Sequence, residues 1–164
     1  MPIEQSGSIT PGHLAKWITT GVIGDAGTPA NGTPYLAKLL SADFNSILDQ
    51  PIQFPNTITA FQLSNIIITN SSLSLTTAVG GFYPTTAKGG TAVVASTQVY
   101  SSLTTAAKLL LATLAANQAA TRFSSANLDV IDGYLTMYLS LTTAQGVAAT
   151  ADIYILGTDL SVTL

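Results

Sequence analysis

Cysteine is absent from these 164 residues, which excludes a disulfide framework, a thiol nucleophile and a zinc–thiolate centre. The redox compartment stays open, and stability must come from burial. Charge is scarce as well: 8% of residues are Asp, Glu, Lys or Arg, against about 25% in ordinary soluble domains. The formal net charge is −3, and the five basic residues are scattered at Lys16, Lys38, Lys88, Lys108 and Arg122. No cluster there neutralises several phosphates at once, so nucleic acid is not an expected partner. Mean hydropathy is positive, yet no apolar run approaches the ~20 residues a membrane helix needs, and no membrane insertion is expected. The opening Met-Pro-Ile-Glu-Gln-Ser-Gly has neither the basic start nor the apolar stretch of a secretion signal. Synthesis and assembly in the cytoplasm are the expectation.

Thr, Ser, Ala and Asn take the place of the missing charge. A surface depleted in Lys and Glu has the composition of a protein–protein interface, which predicts a homo-oligomer. One phrase recurs within it. LSLTTA followed one residue later by Gly stands at residues 73–80 and again at 139–146, and the core LTTA returns at 103–106. Leu alternating with Ser or Thr is the period-two pattern of a half-buried strand, because successive strand side chains point to opposite faces. The repeat predicts strands that end alike, at one rim of a β framework.

Three regions are expected. Residues 1–33, punctuated by Gly, Pro and Thr, read as an N-terminal arm with one small hairpin, in which Leu14, Trp17, Val22 and Ile23 flank the loop Thr19-Thr20-Gly21. Two short strands cannot bury those four side chains alone, so they are candidate interface residues. Residues 34–53 read as a short helical linker: Thr33 as N-cap, Pro34 at the first turn, then Leu36, Leu39, Leu40, Phe44, Ile47 and Leu48 at helical spacing until Pro51. Ser41 divides it into one or two short helices. Residues 54–164 read as β, with strands at 58–61, 63–69, 71–77, 91–100, 108–115, 134–142, 151–156 and 160–164. Residues 106–116 also fit a helix by their Ala and Leu content, although their alternation favours a strand. The fold class is mainly β, a jelly-roll-like antiparallel sandwich with an extended N-terminal arm and one or two short helices.

Chemistry-bearing residues are few. The single histidine, His13, would have to anchor any triad or multi-histidine metal site, and it sits in the arm. Asp129 and Asp132 resemble a carboxylate pair, but Asp132-Gly133 is also ordinary tight-turn chemistry, and the turn reading is preferred. Lys88-Gly89-Gly90-Thr91 lacks the spacing of a phosphate loop. No catalytic residue, metal site or cofactor is expected, and the chain reads as a non-enzyme. Residues 80–90 read as a mobile or bulged loop carrying Phe82 and Tyr83 outward as candidate contacts for a partner or sugar, although capping of the core by the two aromatics is the preferred reading.

The segment QSGSITPGHLAKWITTGVIGDAG, through Thr10, Pro11, Gly12, His13, Trp17, Gly21, Val22, Ile23 and Asp25, resembles a segment that recurs in structural proteins of tailed bacteriophages. The stretch TMYLSLTTAQGVAATADIYILGTDL resembles the last two strands of β-rich phage virion domains. The resemblance implies a virion structural protein, assembled in the host cytoplasm. Its implied partners are further copies of itself, as a homotrimer, and the major capsid protein or another virion protein. A capsid decoration, cement or head-fibre protein is one placement; a tail fibre or spike component or adaptor that binds a host-surface receptor or glycan is the other.

Overall fold

The computed structural model describes residues 4–5, 13–19, 22–29 and 35–161, with side chains from residue 35 onward. Backbone contacts divide the chain at Pro34–Tyr35 into two compact units. In the first, β1 (Glu4–Gln5), β2 (His13–Thr19) and β3 (Val22–Pro29) form a sheet of order β1-β3-β2. β2 and β3 pair antiparallel, with Trp17 opposite Ile23, as the small hairpin requires.

The second unit has nine strands: β4 (Tyr35–Asp43), β5 (Gln50–Gln53), β6 (Ala60–Thr69), β7 (Val79–Tyr83), β8 (Leu109–Leu111), β9 (Arg122–Ser124), β10 (Asp129–Ile131), β11 (Tyr134–Thr143) and β12 (Thr150–Asp159). All pair antiparallel. In one sheet β11 lies between β5 on one side and β10 and β7 on the other; in the second, β12 joins β4 to β6, whose far edge is shared by β9 and β8. A sandwich-like arrangement encloses one core, in which Phe54, Phe61 and Phe123 stack in series at centroid distances of 4.2 and 5.3 Å and Phe44 meets Tyr100 edge-on at 5.0 Å. Such aromatic pairs add about 0.5–1.5 kcal/mol each beyond the area they bury. The mainly β, antiparallel fold agrees with the sequence reading.

The helical linker does not exist. Residues 35–43 are strand β4, hydrogen-bonded along β12, and only a 3-10 turn at Gln118–Ala120 is helical among the described residues. Two register shifts, opposite Ile155/Leu156 and opposite Ala151/Ile153, each set an extra β4 residue against its partner. A bulge resets which face the next side chain takes, so a period-two strand acquires apolar spacings of three and four. Ser41 sits at the second bulge with φ 54°, its N–H donating to Asp152 Oδ1 at 2.9 Å. Of the six residues that suggested an apolar helix face, Leu36 and Phe44 are buried whereas Leu40, Ile47 and Leu48 are exposed.

Other boundaries shift too. Residues 71–77 and 91–100 form no regular strand; the latter makes only isolated bridges, Val94 to Phe82 and to Leu114, and Val99 to Val79. Within 106–116 the regular pairing is confined to β8, and no helix forms. The last strand ends at Asp159; Leu160 still donates its N–H to Ala60 O, and residues 162–164 lie outside the described residues.

Candidate functional site

The expected arm contacts stand on the hairpin: Leu14 and Trp17 on β2, Val22 and Ile23 on β3. Their side chains, like that of His13, lie outside the described residues.

Phe82 and Tyr83 do not project. They end strand β7, paired to Leu139 and Tyr138, and are 0% and 5% exposed. The sequence around them is glycine-rich because backbones approach closely: a Cβ on Gly81 would collide with the Val94 carbonyl, and one on Gly80 with the Leu141 backbone. Glycine there admits a neighbouring chain. It does not mark a mobile loop.

Residues 84–91 form a tight excursion after β7. Thr85 bridges to Gly89, and Ala87 and Lys88 both adopt φ 56°, a left-handed conformation that costs roughly 1–3 kcal/mol per residue. Two carboxylates hold it from outside. Asp129 Oδ2 accepts the Thr86 N–H at 3.0 Å and Asp49 Oδ2 the Ala87 N–H at 2.6 Å. Asp129 therefore braces a loop, while Asp132 (φ 52°) and Gly133 (φ 85°) make the two-residue turn between β10 and β11. Left-handed geometry at both central positions is what such hairpins demand.

Against this excursion lies a recess of about 430 Å³ that opens to solvent. Its other walls are the 3-10 turn, entered through Asn117 at φ 67°, strand β9, and the turn after it, where Asn127 Oδ1 accepts the Ser124 N–H and Asn127 Nδ2 donates to Arg122 O. Its lining joins the buried Phe123 and Leu128 to the polar residues Thr85, Thr91, Gln118, Thr121 and Asn127. No charged side chain lines it, so what the recess offers is hydrogen bonding and apolar contact. Nothing in the sequence flagged it, because its walls come from segments some forty residues apart and each residue is of a common polar or apolar type.

Two phenols are perturbed away from this recess. Burial pushes the Tyr138 hydroxyl up to about 12, with the Asp129 and Asp49 carboxylates nearby adding to it; the oxygen has no partner of hydrogen-bonding geometry among the described residues. Burial also raises Tyr100, whose hydroxyl donates to Gly80 O at 3.2 Å. Both favour the neutral phenol, because burial disfavours the phenolate and, at Tyr138, the neighbouring carboxylates disfavour it further.

On the surface, edge strand β8 leaves Leu109 and Leu111 exposed, and Val99 and Leu73 are exposed large apolar side chains as well. Among the described residues, no three His, Cys, Asp or Glu side chains gather as a metal site, and no helix is long and apolar enough to cross a membrane. No family model matches the chain, and neither a curated protein nor a solved structure matches it.

Proposed function

We propose that this chain is a non-enzymatic virion structural protein, an oligomeric capsid decoration, cement or head-fibre protein that docks on coat subunits through its N-terminal unit. The observation that supports the reading is the conjunction of the phage-like TPGH…W…GVI segment with the place of its hairpin in a first compact unit, the second unit having a hydrophobic core of its own. Leu14, Trp17, Val22 and Ile23 are the contacts to coat. Apolar area removed from water is worth roughly 25 cal/mol per Å², and three arms on one trimer multiply a modest contact by linkage.

A charge-poor surface with exposed Leu109, Leu111 and Val99 supports self-association, since interfaces are depleted in Lys and Glu. The alternative placement, a tail fibre, spike or adaptor recognising a host-surface receptor, rests on the same segment. Deletion of residues 1–27 tests the docking role: the shortened chain is expected to fold, to sediment as the same trimer and to be missing from purified particles. Unchanged occupancy on particles refutes it. Immunogold labelling of intact particles decides between head and tail.

A further inference from the structure

We infer that Asp49, Asp129 and the hydroxyl of Tyr138 form a weak calcium site beside the 84–91 excursion. This goes beyond the docking role, because it concerns the second unit alone and holds for either placement on a particle.

The strand register brings the three residues together. Asp129 opens β10 opposite Thr136, and Tyr138 follows Thr136 by two residues, on the same face of β11. Along the other side of β11, Pro51 stands opposite Tyr138, and Asp49 precedes Pro51 by two residues, just before β5 begins. The two carboxylates therefore approach Tyr138 from the strands on either side of it. The excursion ties them together. Its adjacent residues Thr86 and Ala87 donate their N–H groups to Asp129 Oδ2 at 3.0 Å and to Asp49 Oδ2 at 2.6 Å. Each carboxylate braces the loop through one oxygen and keeps Oδ1 for another partner.

The phenol is the second observation, independent of the acidic pair. Tyr138 is 3% exposed, and its enclosed oxygen has no partner of hydrogen-bonding geometry among the described residues. The charges that act on it are those of Asp129 and Asp49, so the hydroxyl points into the space that the pair bounds. An enclosed polar atom needs a partner, and two like charges held on neighbouring amides need a counter-charge. One cation among the three groups meets both needs.

Donor type narrows the ion. All three ligands are oxygens, which suit calcium or magnesium rather than zinc or copper, and two carboxylates balance one divalent charge. Magnesium demands a near-ideal octahedron at about 2.0–2.1 Å, which carboxylates already tied to a loop cannot rearrange to provide; calcium accepts six to eight oxygens at about 2.3–2.6 Å in a less regular array. Thr86 and Ala87 are exposed and both aspartates half-buried, so water can fill the remaining coordination positions. With only two charged ligands, the expected Kd is about 0.1–1 mM, the range of weak extracellular calcium modules.

The test titrates the isotope-labelled, EDTA-treated full chain with calcium chloride and separately with magnesium chloride, following backbone amides by NMR and the melting temperature. Calcium is expected to shift the amides of Thr86, Ala87, Asp129 and Tyr138 saturably and to raise the melting temperature as it binds the folded state, with magnesium about tenfold weaker or worse. Asp49→Asn and Asp129→Asn are each expected to weaken calcium binding at least tenfold; asparagine keeps an acceptor oxygen for the loop N–H, so the brace survives while the charge is lost. Tyr138→Phe leaves both carboxylates in place and is expected to weaken calcium binding severalfold, which keeps the test valid if either asparagine variant does not fold. No saturable shift at these amides up to about 20 mM calcium, the limit of weak single-site affinities, equal binding of magnesium, or a calcium affinity unchanged in Tyr138→Phe overturns the inference.

Discussion

Tyr138 shows how one side chain couples burial to pH. Its hydroxyl is enclosed without a hydrogen-bond partner, and its pKa is pushed up to about 12, whereas an unfolded tyrosine titrates near 10. The folded-state pKa is the higher one, so the stability it contributes is whole below pH 10 and is lost as pH rises from about 10 through 12. Tyr138→Phe is expected to be neutral or up to about 1 kcal/mol stabilising at pH 7, because an orphaned hydroxyl disappears, and to lose less stability than the parent between pH 10 and 12. Urea midpoints at pH 7 and pH 11 measure both; an equal loss in the two proteins contradicts the assignment. Tyr100, also raised, keeps part of the alkaline sensitivity in the variant. Gly81 is the steric counterpart. Gly81→Ala sets a methyl against the Val94 carbonyl, and the expected cost is about 3 kcal/mol by overpacking, read as a fall in melting temperature. The sequence displayed the glycine but not its reason, which is a chain arriving from thirteen residues further on, at Val94.

At the scale of elements, the repeated phrase is instructive because it does not encode one structure. Leu139 to Thr143 belong to central strand β11, whereas residues 73–77 and 103–105 are irregular. The repeats share a burial code: Leu75, Leu103 and Leu141 are each 0% exposed, and each is followed by two exposed threonines. Leu75 N donates to Leu103 O, while Gln145 takes the Thr77 N–H at its Oε1 and the Thr77 hydroxyl at its carbonyl. The two full phrases therefore end at one rim, as their alternation suggested, by different backbone routes. Replacing any of the three leucines by Ala is expected to cost about 2–5 kcal/mol whatever its secondary structure, as denaturant midpoints will report. A much smaller loss at Leu75 or Leu103 than at Leu141 would show that strand membership, rather than burial, sets the value. Strand β4 carries a helix-like spacing for a related reason. Two bulges against β12 convert alternation into helical spacing, and a bulge depends on the partner strand, which local sequence does not contain.

For the molecule as a whole, the described core is drawn from residues 36–155, so loss of residues 1–27 is expected to leave a cooperatively melting body with its midpoint within a few degrees of the full chain's, the shift that about 1 kcal/mol produces. A large fall in calorimetric midpoint would show that the first unit completes the core. Composition and pattern by themselves determined the β class, the Asp132-Gly133 turn and the N-terminal hairpin. Each follows from local rules: the period of two, left-handed turn residues, and runs too short to be anything else. Only the tertiary structure decided that Phe82 and Tyr83 lie inside, that β4 is a strand, and that Thr85, Thr91, Gln118 and Thr121 meet around one recess. Those outcomes depend on which distant segment lies alongside, through register, bulges and close backbone approach, and such pairing energies are properties of two strands at once.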